Sequence, residues 1–443
     1  MNTSELYDYF KKCSSLSTDS RSLNKKSIFF ALKGDNFNGN KFAEEAIKNG
    51  ASYAVIDDHS LNNSKFIKVK NVLKSLQDLS KYHRARLLKT KIIALTGSNG
   101  KTTTKELISK VLKKKYRIVS TVGNLNNHIG VPLTLLRIKP ETEIAIIEMG
   151  ANHLKEIKLL TEMIKPDFGL ITNFGKAHLE GFGSLEGVIK GKSELYDFLI
   201  KNNKQAFINN DDQIQNQFIG NKICFSKENK SNYIFSQVKD SNYATLNYKN
   251  FIVDSKLTGN YNYYNIAFAT LIGLYFNISI EKINEAISNY IPSNNRSQII
   301  EKNNKSIILD AYNANPTSMI SALNSLIEKQ GKKSIILGDM FELGKQSKKE
   351  HYDLINFCVK NNFENIFLIG NEFFKQKDKF KIPFFYKTKE ELNKHIKKFP
   401  ITSKYILIKG SRALKASSIN SMPASFVSAL AKPTLCCIPP DKC

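Results

Sequence analysis

The chemistry this chain can do is concentrated first in Thr96-Gly97-Ser98-Asn99-Gly100-Lys101-Thr102-Thr103-Thr104. Gly97 and Gly100 permit a tight loop that wraps backbone N–H groups around a phosphate chain. Lys101 supplies a point charge for that chain, and Thr102 a hydroxyl suited to Mg²⁺. The loop departs from the commonest G-x-x-x-x-G-K-T form, because Leu95 stands where its first glycine would be. Three further side chains have chemical potential. Glu148 ends the apolar run Ile144–Ile147, and a carboxylate at a strand's C-terminal end beside a phosphate loop is the position of a metal- or water-binding acid. His178 closes Asn173-Phe-Gly-Lys-Ala-His178 after another apolar run, and reads either as a satisfied loop histidine or as a ligand. Lys192 lies in the helical pattern that begins at Val188, where spacing alone does not separate a solvated lysine from a functional one.

The elements that must position these residues are legible around them. Ile92–Leu95 reads as a short buried strand. Leu107, Ile108, Val111 and Leu112 share one helical face, so the following helix aims its N-terminus at the phosphate loop. The stretch Ser120–Pro132, rich in Asn and Gly, is expected as a polar loop, and Gly169–Thr172 as a further strand. Residues 234–257 suggest short strands before the apolar helix Ile266–Tyr275. Toward the N-terminus, Ser27–Lys33 and Tyr53–Ile56 read as strands and Phe42–Ile47 as a helix capped near Gly50; Thr18–Ser22 and Lys33–Gly39 are polar loops. From about Ser293 onward short apolar strands at 306–309, 334–337, 366–369 and 405–408 alternate with helices such as 318–328. That is a doubly wound α/β pattern with polar loops at its strand ends.

A length of 443 residues suggests two or three domains. Apolar content of 41% and charged content of 24% fit a soluble globular chain. No apolar run long enough to span a bilayer and no signal-like N-terminus is seen, so a cytoplasmic protein without membrane insertion is expected. Cys13, Cys224 and Cys358 lack metal-ligand spacing and read as small hydrophobes. A net charge of +26 invites a nucleic-acid reading, but the lysines are diffuse and form no basic block, so no nucleic-acid partner is expected. The same charge suits a polyanionic small substrate.

Together with the phosphate loop, Asn124–Pro132, Glu148-Met-Gly-Ala151, Asp310-Ala-Tyr-Asn-Ala-Asn-Pro-Thr-Ser318 and Gly338-Asp-Met-Phe-Glu-Leu-Gly344 carry a resemblance. They are similar, in order and over nearly the whole chain to Lys415, to the Mur ligases, the ATP-dependent amide ligases of peptidoglycan precursor synthesis. The resemblance is greatest to the member that joins D-alanyl-D-alanine to UDP-N-acetylmuramoyl-tripeptide. It implies an α/β protein of three domains: a small UDP-sugar domain (1–88), a central ATP-binding domain with a mostly parallel sheet (89–292), and a C-terminal Rossmann-like domain (293–415). A monomer using ATP and Mg²⁺ is implied. By similarity, Ser20, Arg21, Lys33 and Gly34 would hold the UDP moiety. Thr96 to Thr103 would cradle ATP, with Lys101 bridging its β- and γ-phosphates and Thr102 binding Mg²⁺. Glu148 and His178 would bind a second Mg²⁺, helped by Lys192 as a carbamylated lysine. Asn262 and Asn265 would lie near the adenine, and Arg296 and Asp310 would close on the nucleotide from the third domain. Asn127, Asn313, Asn315 and the loop at Asp339 would face the substrates. Residues 416–443, ending in Cys436, Cys437 and Cys443, depart from the family and are expected to be a disordered or altered tail.

Overall fold

The computed structural model describes residues 1–228, 231–238, 243–292 and 296–411. The atypical tail at 416–443 lies outside the described residues. Three α/β layers follow one another, each built on its own sheet. The first sheet is parallel, in the order Leu16–Ser17, Ser27–Phe30, Ala51–Ile56, Phe66–Lys68. The segment expected as a loop at Lys33–Gly39 is instead a small antiparallel hairpin, Lys33–Gly34 against Phe37–Asn38. Phe37 stacks on Phe42 there, with ring centroids 5.4 Å apart.

The central sheet has seven parallel strands, in the order Tyr233–Ile234, Lys222–Ser226, Gln205–Asn209, Phe168–Ile171, Lys91–Thr96, Ile144–Glu148, Ile118–Ser120. Strand Lys91–Thr96 is apolar throughout its middle because both of its faces are covered. Ile93 and Leu95 pack with Leu107, Ile108 and Val111 of helix Lys101–Leu112 and with Ile266 of helix Asn262–Tyr275. Ile92 and Ala94 pack on the other side with Val131, Ile157 and Leu160. Register then decides the site. Leu95 pairs with Glu148 and Thr96 with Ile171, so the phosphate loop, Glu148 and the loop leading to His178 leave the sheet at one edge.

Two expectations shift here. The polar loop after Ser120 ends at Ile129, not Pro132, because Gly130 opens the buried helix Gly130–Leu135. Asn127 Oδ1 accepts the N–H groups of Ile129 and Gly130 (3.1 and 2.9 Å), and Pro132 falls in the first turn, where a missing donor costs nothing. The helix expected from Ile266 begins four residues earlier, at Asn262, which puts Asn262 and Asn265 in its first turn.

The third sheet runs Gln298–Lys302, Lys305–Asp310, Tyr405–Lys409, Lys333–Gly338, Asn365–Ile369, Phe384–Tyr386, parallel except for its first pair. This layer is seated on the central one. Asn315 Nδ2 donates to Asn99 Oδ1 at 2.7 Å, Lys176 pairs with Glu350 at 2.6 Å, and the Glu180 N–H bonds to Glu342 O at 3.0 Å. The apolar cluster beneath these bonds runs unbroken from Leu160 and Leu179 into Met319 and Met340.

Candidate active site

Two glycines set the phosphate loop. Gly97 has φ +143° and Gly100 φ +79°, and a Cβ added at Gly97 would stand 2.0 Å from Thr172 Oγ1. Both the backbone and the space therefore require glycine. The strand-end segment at 172–175 fixes the loop further. Thr172 Oγ1 donates to Asn99 O (2.6 Å), the Asn99 N–H donates to Asn173 Oδ1 (3.0 Å), and Ser98 Oγ both donates to Gly175 O and accepts the Gly175 N–H (2.9 Å each). Lys101 Nζ donates to Gly97 O (2.7 Å) and Ser98 O (3.3 Å) of its own loop. Enclosure lowers the basicity of Lys101, partly offset by the Glu148 carboxylate. Gly97→Ala is expected to weaken ADP binding by about fivefold to a hundredfold, since a residue forced into such backbone geometry costs about 1–3 kcal/mol. Calorimetric titration of the variant with ADP checks this; parental affinity would contradict it.

Glu148 is buried at its strand end. Its Oε1 accepts from Thr102 Oγ1 (3.2 Å) and Asn126 Nδ2 (2.8 Å), while its Oε2 is buried without a hydrogen-bond partner. A buried anionic oxygen with no donor is costly unless a cation or ligand reaches it. This orphan beside a threonine hydroxyl and a phosphate loop fits the hard oxygen set that Mg²⁺ takes, usually with one or two carboxylates and substrate phosphates. Among the described residues no three His, Cys, Asp or Glu side chains converge as a self-sufficient metal cluster. His178, held at φ +54°, points Nδ1 at Glu342 Oε2 of the third domain, 2.6 Å away. Glu342 itself sits at φ +61°.

Lys192 is wholly buried, so the solvated-lysine alternative is excluded. Its Nζ donates to Ala151 O (3.2 Å) over the Phe182 ring. Burial drives its basicity well below the ordinary lysine range, and the charge of Lys101 pushes the same way. Among the described residues Lys192 makes one hydrogen bond and no close ion pair, and the more distant Glu156 and Glu194 offset its burial only in part, which favours the neutral amine.

Most of these parts border one cleft of about 990 Å³ between the central and third domains. Ser98 to Thr103, Asn127, Glu148, His178, Asn262, Asn265, Arg296, Asp310 and Asn313 all reach it. Asn262 and Asn265 do so as a brace: Asn265 joins Thr104 Oγ1 (2.9 Å) to Asn262 Oδ1 (2.7 Å), and Asn262 Nδ2 donates to Thr258 O (2.7 Å). From the third domain, the Arg296 guanidinium lies 3.3 Å over the Tyr312 ring and Lys409 pairs with Asp310. Thr96, Gly97 and Lys192 lie behind the cleft wall, and Asn315 caps helix Pro316–Ile327.

Asp339 corrects an expectation. It is turned away from the cleft and buried, accepting the N–H groups of Glu372 and Phe373 (2.9 and 3.0 Å), because two orphan donors at a helix start attract a carboxylate. Ser20, Arg21, Lys33 and Gly34 stand on the first domain, outside this cleft. Arg21 there is held by Asp19 and Lys33 by Asp57 (2.8 Å). Asn126, Glu342, Tyr312 and Lys409 join the site without having stood out in sequence, although the quoted motifs contain Asn126, Glu342 and Tyr312 and an apolar strand ends at Lys409.

Three family profiles match the chain: Mur ligase family, catalytic domain (residues 12–91), Mur ligase middle domain (95–273) and Mur ligase, glutamate ligase domain (295–412). A UDP-N-acetylmuramoyl-tripeptide–D-alanyl-D-alanine ligase of Bacillus subtilis is 34% identical over 91% of this chain and 92% of its own. The enzyme of that name from Escherichia coli is 32% identical over 81% of each chain. Among solved structures, MurF from Acinetobacter baumannii superposes with a TM-score of 0.82 at 26% identity, covering 97% and 98%. The MurF ligase from Thermotoga maritima in complex with ADP gives 0.79 at 25% identity, covering 92% and 96%.

Proposed function

This chain belongs to the Mur ligase family, and from that premise we propose that it joins D-alanyl-D-alanine to UDP-N-acetylmuramoyl-tripeptide at the expense of ATP. The observation that carries the reading is one cleft in which a glycine-framed phosphate loop, an orphaned buried carboxylate and the third domain's Arg296 and Asp310 converge. A carboxylate is a poor electrophile, so the tripeptide's terminal carboxylate first takes the γ-phosphoryl group of ATP, with ADP leaving. The dipeptide amine then attacks that acyl phosphate, and the tetrahedral adduct collapses to the amide with loss of phosphate and a proton.

The chain's own groups bear on charge and position more than on bond making. Lys101 would leave the carbonyls of Gly97 and Ser98 for the β- and γ-phosphates. Thr102 would hold one Mg²⁺, and Glu148 and His178, helped by Lys192, a second; such ions would offset the phosphate charge that the approaching carboxylate meets. The Arg296 guanidinium, stacked on Tyr312, and Asp310 would fix the nucleotide from the third domain. Ser20, Arg21 and the hairpin at Lys33 and Gly34 would take the UDP end, and Asn127 and Asn313 the peptide region. All these groups come from one chain, so a monomer suffices. No helix among the described residues is long and apolar enough to cross a membrane, and substrates of this kind suit the cytoplasm.

Phosphate release by the purified chain with Mg-ATP tests the reading. Release is expected only when both the UDP-muramoyl-tripeptide and D-alanyl-D-alanine are present, with an amide product of the summed mass less water. Release indifferent to the dipeptide would sink this acceptor assignment and point to a ligase that adds a different group.

A further inference from the structure

Lys105 is one of two lysines with no exposed surface among the described residues, and nothing in the reaction above uses it. It leaves helix Lys101–Leu112 one turn beyond Lys101. Its Nζ donates to Thr121 O (2.7 Å) and Gly123 O (3.3 Å) and lies 2.8 Å from Glu106 Oε1. Thr121 and Gly123 begin the polar loop that borders the cleft. The same loop is fastened a second time, to Glu148. Thr121 Oγ1 accepts the Glu148 N–H (3.0 Å), Asn126 Nδ2 donates to Glu148 Oε1 (2.8 Å), and Asn126 O accepts the Gly150 N–H (2.8 Å).

A buried ammonium is an expensive filler for apolar space. Its placement makes sense where two carbonyls of a polar loop would otherwise lack donors. We propose that Lys105 is a positioning residue, clamping the loop at 121–128 to the phosphate-loop helix so that Asn126 meets Glu148. It touches no reactant and acts through Asn126 and Glu148. The clamp joins the nucleotide side of the cleft to the wall that faces the muramoyl substrate. This proposal rests on the ligase reading above.

The test uses the full chain carrying Lys105→Met, with Lys110→Met, exposed on the same helix, as control. Misplacing a catalytic carboxylate by a fraction of an ångström predicts a fall in kcat of at least about tenfold. A raised KM for UDP-muramoyl-tripeptide is expected with it, while ADP affinity by calorimetry stays parental. Amides 121–129 should exchange with deuterium at least about tenfold faster, with helix 101–112 unchanged. Lys105→Arg, which keeps the charge, should recover part of the lost kcat. Parental kinetics and parental loop exchange in Lys105→Met would overturn the proposal. So would loss of ADP affinity in step with kcat, because that marks a general structural role. If the methionine variant does not fold, Lys105→Gln is read in the same way. If the parent chain does not turn over these substrates, the ligase reading fails, and loop exchange still decides the clamp.

Discussion

Lys101→Met is expected to lower kcat by about 10³-fold while leaving the melting temperature within a few degrees of the parent. The size follows from the proposed role: a preorganised cation aimed at charge that develops during phosphoryl transfer contributes about 10²–10³ per donor removed. Stability should barely respond, because among the described residues Lys101 Nζ bonds only to Gly97 O and Ser98 O of its own loop, and enclosure already disfavours its charge. Methionine keeps the length of the stem and fills the same space. Binding should separate from chemistry. Loop N–H groups framed by Gly97 and Gly100 would hold the phosphates too, so ADP affinity should weaken far less than kcat. Phosphate release at saturating substrates, with calorimetric ADP titration, measures both. A variant that keeps a tenth or more of the parental kcat would remove Lys101 from the transition state.

Much of this site is readable in the chain alone, and the physical reason differs from residue to residue. The phosphate loop is legible because a parallel strand covered on both faces must be a short apolar run, and its sharp exit needs glycine where φ is positive. Glu148 is legible for a related reason: it is a carboxylate ending an otherwise apolar strand beside the phosphate loop. Asp339 follows the same sequence pattern at the end of strand Lys333–Gly338 and misleads. The pattern places a carboxylate at the strand end, but the helix that starts at Asn371 lies beside it and captures the side chain. Such long-range capture has no signature in local sequence. The start of helix Asn262–Tyr275 is hidden in sequence because its first turn carries two asparagines, which are occupied with Thr104 and Thr258. Lys192 does carry a signal in sequence. Val188, Leu195 and Leu199, at helical spacings of four, three and seven from it, are all buried, so Lys192 sits on the apolar face of helix Leu185–Lys201. A charged residue on that face is either wrong for the core or there for chemistry.

That position makes Lys192→Met the variant in which function and stability should move apart. The native amine has one hydrogen bond, to Ala151 O, and its burial and the nearby Lys101 charge favour the neutral form. A neutral amine is the form that attacks CO₂, losing a proton as the N–C bond forms to give a carbamate. The new carboxylate would stand near the cleft wall at Gly150 and Ala151, which the proposed second Mg²⁺ site requires. Methionine fits the apolar surroundings of Val188, Phe182 and Leu195 without a polar group to satisfy. The variant should therefore melt no lower than the parent. It should lose about 10²–10³-fold in kcat, as removal of one electrostatic anchor does. The carbamate itself is tested on the parent chain. Under ¹³C-labelled CO₂ a carbonyl resonance in the carbamate range should appear and be missing from Lys192→Met, and stripping CO₂ from the parent should lower its rate reversibly. A destabilised methionine variant would mean that the lysine's charge holds the fold. Full activity in that variant would mean that neither amine nor carbamate serves the reaction. A labelled signal in the parent together with a stable, inactive variant is the outcome expected of a buried lysine kept at a cost to the core for the sake of the site.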